Sequence, residues 1–297
     1  MRFTRPAALV RGDRIAVAAP ASAFDRADFD QGLAWLAERY RIRSVEPSIY
    51  ERRGYLAGDD ARRRDELASA MLDPEVKAII MARGGYGSTR IVDGLPWDAF
   101  RAQPKWIVGF SDITTFHVEA TRLRIASLHA SHVNAVGRMS EAARDEYERA
   151  LEGKAPPLHF PTLQPIVAGD AAGVLVGGNI ALLEAMAAAG RLDLPAGCIL
   201  ALEDTNEAPY RLDRMLTSLR LGGYFARASA VVLGEFTECP TGRDGVTAMD
   251  AMVSCLDTLG IPVYSGAPFG HGEVNTALEF GIQVALRGGS LRQIEPG

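Results

Sequence analysis

Short runs of Ile, Val and Ala recur along this chain, and each is followed by a stretch with helical spacing. Ile15–Ala19, Val76–Met81 and Trp106–Val108 are the first three such runs. Between them, Phe29, Leu33, Leu36 and Tyr40 fall on one helical face within Asp28–Tyr40, and a second helix opens near Asp59-Asp60 and continues through Leu67 to Met71. Strands that do not alternate apolar with polar residues are buried on both faces. Strands of that kind separated by helices predict a mostly parallel α/β sheet with helices on both faces. Ligands bind such sheets at the carboxyl ends of the strands.

The pattern changes between about Glu141 and Gly169. A polar helix gives way to Gly153-Lys-Ala-Pro-Pro157 and a proline-spaced segment up to Pro165. The sequence therefore divides into an N-terminal α/β domain (1–150), a linker (151–169) and a C-terminal domain (170–297). The second half resumes with strands at Ala172–Val176, Cys198–Leu202, Ser229–Leu233 and Pro262–Tyr264. Helices are expected over Ile180–Ala189, Tyr210–Leu221 and Val246–Leu259, and Ala277–Ile294 reads as strands joined at Gly288-Gly-Ser290.

Bulk properties exclude several classes. A net charge of −5 over 297 residues leaves no basic footprint for nucleic acid. Cys198, Cys239 and Cys255 are odd in number and widely spaced, which suits reduced thiols rather than a disulfide framework or a zinc site. No run approaches the roughly 20 apolar residues of a membrane span, and Arg11, Asp13 and Arg14 interrupt any secretory h-region. A cytosolic protein with no membrane partner is expected.

Three constellations bear on chemistry. In Lys105-Trp-Ile-Val-Gly-Phe-Ser-Asp-Ile-Thr114 an apolar strand ends at Gly109, and a helical pattern starts just beyond Ser111 and Asp112. A serine on such a turn can act as a nucleophile, with the helix N-terminus behind it favouring negative charge. Taken alone, the turn favours a plain helix cap. Arg83-Gly-Gly-Tyr-Gly87 also follows a strand, but it is neither a P-loop nor a dinucleotide motif. An oxyanion-hole donor and a simple tight turn fit it about equally. Of the histidines, His117 reads as a packing or surface residue of a helix. His129 and His132 lack the companions of a metal site. His159 falls in the linker, and His271, between two glycines on a loop, is the best candidate base. Glu203 directly follows five apolar residues, at a strand's carboxyl end. As an isolated acid it would by default cap a turn or pair with Arg211 or Arg214. Ser111, Glu203 and His271 stand in one of the chain orders in which triads occur.

Several segments taken together resemble the LD-carboxypeptidase (muramoyltetrapeptide carboxypeptidase) family. They are Gly12-Asp-Arg-Ile15, Ala19-Pro-Ala-Ser22, Arg83-Gly-Gly-Tyr-Gly87, Gly109-Phe-Ser-Asp-Ile-Thr114, Gly177-Gly-Asn179, Leu202-Glu-Asp-Thr-Asn-Glu207, Pro209-Tyr-Arg-Leu-Asp-Arg-Met215 and Gly270-His-Gly272 with Asn275. The match runs in order over nearly the whole chain and departs at Ala277-Leu-Glu-Phe-Gly281, where members often carry a proline after the leucine. The resemblance implies a flavodoxin-like N-terminal domain and a C-terminal α/β domain with a small β-barrel-like sheet. It implies a serine peptidase with Ser111 as nucleophile, Glu203 as orienting acid and His271 as base. The oxyanion donors would be the backbone N–H groups of Gly85 and Asp112. No cofactor and no metal is called for, and homodimers are usual.

The expected reaction is hydrolysis of the bond before the C-terminal D-Ala of murein tetrapeptide, in cell-wall recycling, through an acyl-enzyme. Such an enzyme must also hold a free carboxylate, for which Arg83 and the helix N-terminus near Ser88 are candidates. Two other readings stand beside it. One is a self-immunity hydrolase cleaving a peptidyl-nucleotide antibiotic, and the other a non-catalytic small-ligand binding module.

Overall fold

The computed structural model describes residues 2–295, which form two compact units. One is Thr4–Pro156. The other runs from Pro157 onward and includes the short segment before Thr4.

The first unit runs β1 (Arg14–Ala18), α1 (Arg26–Ala37), β2 (Arg41–Ile42), α2 (Asp60–Leu72), β3 (Val76–Met81), α3 (Trp97–Ala102), β4 (Trp106–Gly109), α4 (Thr114–Arg122), β5 (Ser127–His129), α5 (Val133–Val136) and α6 (Glu141–Leu151). Its strands pair in parallel in the order β5-β4-β3-β1-β2, the flavodoxin-like winding. Both faces of the sheet are covered, as the apolar runs require. Ala16 and Ala18 of β1 pack with Leu67, Met71, Phe100 and Phe116, while Ile15 and Val17 are buried on the opposite side. Aspartates set the helix starts: Asp25 accepts from Asp28 N at 3.0 Å and Asp59 from Arg62 N at 2.8 Å. The carboxyl ends of β1, β3, β4 and β5 lead to Ser22, the glycine loop, Ser111 and His132 respectively.

The second unit runs β6 (His159–Phe160), β7 (Gln164–Val167), β8 (Ala171–Asn179), α7 (Ile180–Ala188), β9 (Cys198–Thr205), α8 (Pro209–Leu221), β10 (Ala228–Thr237), α9 (Ala248–Leu256), β11 (Val263–Ser265), β12 (Leu278–Phe280), β13 (Gln283–Arg287) and β14 (Ser290–Gln293). Its eight-stranded sheet has the order β6-β14-β13-β8-β9-β10-β11-β7, with a parallel centre over β8 to β11. The two edge strands, β6 and β7, are consecutive in the chain. Four residue steps from Phe160 to Gln164 reach at most about 14 Å. Seven flat strand spacings would span about 34 Å. The sheet must therefore curl until its edges approach, which gives the barrel-like form expected for this half. Phe160, Leu175, Ile199, Val232, Tyr264, Phe280, Val284 and Leu291 form part of the core that it encloses.

Two features differ from the pattern read in the sequence. The proline-spaced segment 151–169 is not a bare tether. The boundary between the units falls at Pro156 and Pro157, and the residues beyond it supply β6 and β7. Strands this short, or as polar as β7, carry no alternation to read. The strand at Cys198 also continues past its apolar run, because β9 is paired on both sides. Asn179 of β8 stands opposite Glu203, and Thr237 of β10 opposite Thr205. Glu203 is thus held within a sheet rather than on a loop. Among the described residues no helix is long and apolar enough to cross a membrane.

The β8–β9 contact that fixes Glu203 depends on one glycine. A Cβ at Gly177 would fall 1.9 Å from Ala201 O. Gly177→Ala is expected to cost about 3 kcal/mol or more, lowering the melting temperature by roughly 6–12 °C. A calorimetric Tm within about 2 °C of wild type would show that β8 and β9 are not so closely apposed.

Candidate active site

Ser111 sits where β4 leaves the sheet, with a backbone φ of 60°. A non-glycine residue in the left-handed region costs about 1–3 kcal/mol and persists only where its surroundings hold it. The short helical turn Ser111–Ile113 then leads directly into α4. The sharp turn lifts the side chain out of the strand direction at the N-terminal end of a helix, where the backbone dipoles favour negative charge.

The glycine loop after β3 packs directly against this turn. A Cβ at Gly84 would lie 3.0 Å from Ser111 Cβ and 3.2 Å from its Oγ, so only glycine leaves Ser111 its space. Gly85 has a φ of 99°. Ser22, from the loop after β1, braces the far side: its amide donates to Gly84 O at 3.2 Å and its Oγ accepts from Tyr86 N at 3.1 Å. Arg63 of α2 is fully buried beneath the loop. Its guanidinium donates to Gly87 O at 2.8 Å and to Pro20 O, and pairs with Asp60. Asp112, also fully buried, accepts from Ser88 N at 2.8 Å. Burial pushes the Asp112 carboxyl up, against the Ser88 and Gly87 hydrogen bonds and the Arg63 charge.

Two of the residues singled out in the sequence have structural partners. The Arg83 side chain donates to Ala23 O, tying its loop to the one after β1. Ser88 is fully buried, so its hydroxyl faces the protein interior and its amide serves Asp112 rather than a ligand. His117 lies inside α4 with both ring nitrogens engaged, not on the helix surface.

The second unit carries the acid and the imidazole. Glu203 is fully buried in β9, and its Oε2 lies 2.6 Å from His271 Nδ1. That bond puts the neutral ring's proton on Nδ1 and the lone pair on Nε2, the arrangement a general base needs. Burial opposes a charge on His271. The bonded Glu203 carboxylate, with the charges of Asp204 and Glu238, outweighs it and raises the imidazole above its usual 6.5. Asn275 Oδ1 accepts from Gly270 N at 3.1 Å and fixes the loop just before the ring.

Asp204, next to Glu203, faces the other side of the sheet. It accepts from Asn179 Nδ2 at 2.8 Å, Thr205 N at 2.8 Å and Ala181 N at 3.0 Å, which anchors the start of α7. Burial and the Glu203 charge push its carboxyl up to about 7. Among the described residues no group of three or more His, Cys, Asp and Glu side chains is arranged to hold a metal ion. Ser22, Arg63, Gly84, His132 and Asp204 all support these two constellations. Ser22 and Gly84 lie in segments that the sequence marks, and Asp204 stands one residue from a candidate acid, whereas nothing in the sequence gives Arg63 or His132 its supporting role.

Known proteins resemble this chain over most of its length. The model of the LD-carboxypeptidase N-terminal domain matches residues 15–130, and that of the C-terminal domain matches residues 172–286. A putative carboxypeptidase of Synechocystis sp. is 36% identical, with 96% of this chain and 95% of the relative aligned. The murein tetrapeptide carboxypeptidase of Pseudomonas aeruginosa is 30% identical, with 94% of each covered. Among solved structures, the muramoyltetrapeptide carboxypeptidase of Oxalobacter formigenes superposes with a TM-score of 0.82 at 26% identity, over 94% of this chain and 97% of that one. A microcin C7 self immunity protein has a TM-score of 0.87 at 19% identity, over 99% and 98%, and shares the fold. The chain belongs to the LD-carboxypeptidase family, hydrolases of the serine carboxypeptidase type.

Proposed function

We propose that this chain releases the C-terminal D-Ala from murein tetrapeptide in cell-wall recycling, acting in the cytosol as a homodimer. Ser111 Oγ attacks the carbonyl of the preceding residue while His271 Nε2 takes its proton. Glu203 fixes the tautomer and stabilises the imidazolium. The amides of Gly85 and Asp112 bind the oxyanion. The proton on His271 passes to the leaving amine of D-Ala, and a water activated by the same nitrogen then hydrolyses the ester. Loss of one oxyanion donor typically costs about 100- to 1000-fold in rate.

The observation that carries this reading is the 2.6 Å bond between His271 Nδ1 and the fully buried Glu203 carboxylate. A neutral imidazole that donates to a buried carboxylate and keeps a lone pair on its second nitrogen suits a base more than a structural link, since replacing a buried charged link with apolar residues is often neutral or stabilising. The left-handed backbone at Ser111 adds a second strained element of the kind that clusters at active sites. The curated murein tetrapeptide carboxypeptidase, aligned over nearly its full length, supports the substrate class.

Incubation with murein tetrapeptide, followed by mass, should show loss of one D-Ala. Ser111→Ala and His271→Ala should each lower turnover by at least about 1000-fold. Full turnover in both variants would remove the triad. Cleavage of an aminoacyl-adenylate analogue with no action on tetrapeptide would instead favour the self-immunity reading.

The pH dependence has a definite sign. His271 is a base only when neutral, and its value is raised, so kcat/KM should fall with decreasing pH through a midpoint above 6.5. Glu203→Gln removes the carboxylate that raises it. That variant should therefore move the acid limb to lower pH while lowering kcat by roughly 1000- to 10,000-fold. An acid limb that stays in place in Glu203→Gln would mean that another group titrates.

A further inference from the structure

Two imidazoles that the proposed triad does not use grip the backbone immediately before Ser111. The geometry points to His117 and His132 as positioning residues that lock the left-handed turn of the nucleophile. The inference rests on the assignment of Ser111 as nucleophile.

His117 is buried in α4, with Nε2 2.8 Å from Gly109 O and Nδ1 2.8 Å from Ser127 Oγ. A carbonyl can only accept, so the ring proton is on Nε2, and Nδ1 accepts from the Ser127 hydroxyl. Burial also holds this imidazole down to about 4, so the ring remains neutral and keeps one tautomer. His132 approaches from the other side, at the entry to α5. Its Nε2 lies 3.0 Å from Phe110 O, and its ring stacks on that of Phe110 with centroids 4.4 Å apart and planes inclined by 26°. The same nitrogen is 3.3 Å from Phe110 N. It cannot both donate to the carbonyl and accept from the amide, and the clamp assigns it the donor role, which makes the shorter of the two contacts.

The carbonyls of the two residues preceding Ser111 are therefore each held by an imidazole N–H, one from α4 and one from the loop after β5. His132 also meets the nucleophile's surroundings directly. The point 3.0 Å from its Cε1 where Gly84 would carry a Cβ is 3.0 Å from Ser111 Cβ. Relaxing the Ser111 φ by rotating either preceding peptide plane would break one of these bonds inside a closed space. Side-chain caps on a turn are common. Two histidines on consecutive carbonyls, both with Nε2 as donor, form a clamp.

The test compares Leu and Gln at each position in the full chain, with kcat and KM measured per folded protein. Leu removes the donor at similar volume, whereas Gln carries an amide N–H at nearly the position of the imidazole Nε2. His117→Leu and His132→Leu should lose roughly 10- to 100-fold in kcat with KM within about threefold, and the Gln variants should recover to within about fivefold of wild type. Wild-type kcat in the Leu variants would overturn the inference. So would folded Gln variants as slow as Leu. Should a Leu variant fail to fold, Asn takes its place, since its amide stops short of the carbonyl. Asn slower than Gln supports the clamp, and Asn equal to Gln contradicts it. Ser111→Ala in the same assay separates the two claims. If Ser111→Ala retains turnover, the nucleophile assignment fails. If it is inactive while the Leu variants are at full rate, only the clamp fails.

Discussion

The left-handed backbone at Ser111 is the constraint on which the N-terminal unit's architecture converges. A serine does not hold φ of 60° unaided. The strain of roughly 1–3 kcal/mol has to be balanced by contacts that a relaxed turn would lose. Those contacts come from every neighbouring strand end. Gly84 after β3 yields the space, Ser22 after β1 braces Gly84, and Asp112 and Arg63 tie down the far end of the glycine loop. In a parallel sheet the carboxyl ends of adjacent strands share one rim, so residues far apart in the chain can act on one turn.

Buried charge is the second recurring device. Arg63, Asp112, Glu203 and Asp204 are all buried, and each is met by backbone amides or carbonyls or by an oppositely charged or polar partner. The desolvation cost of such groups is several kcal/mol each, so a sequence that sought only stability would replace them with apolar side chains. What they provide is direction. Arg63 orders loop carbonyls, Asp204 orders the start of α7, and Glu203 determines which nitrogen of His271 carries the proton. Burial and the Glu203 charge raise Asp204, while the charges of Glu203, Asp204 and Glu238 raise His271 against its burial.

Much of this was legible in the sequence, for physical reasons that also explain the rest. Val76–Met81 and Trp106–Val108 were readable as strands because burial on both faces leaves no polar position in them. Asp59 marks a helix start because a capping aspartate acts within three residues. The strands β2, β6 and β7 were not readable. They owe their pairing to neighbours distant in the chain and carry no alternation of their own. The same holds at the site. Ser111 on its turn fits a cap and a nucleophile alike, and its left-handed φ is held by contacts from distant strand ends. Glu203 follows an apolar run, yet its full burial and its bond to a residue 68 positions away belong to tertiary structure. From its place within a helix, His117 reads as a packing or surface residue. Nothing local distinguishes a ring that packs from one that holds the Gly109 carbonyl.

A nucleophilic Ser111 must pass through a covalent acyl-enzyme. Rapid acid quench of the wild-type protein with murein tetrapeptide, followed by intact mass and peptide mapping, would trap it. A transient gain equal to the substrate mass less D-Ala is expected, localised to Ser111 and absent from Ser111→Ala. Turnover with no adduct at any time point, or an adduct on another residue, would contradict it.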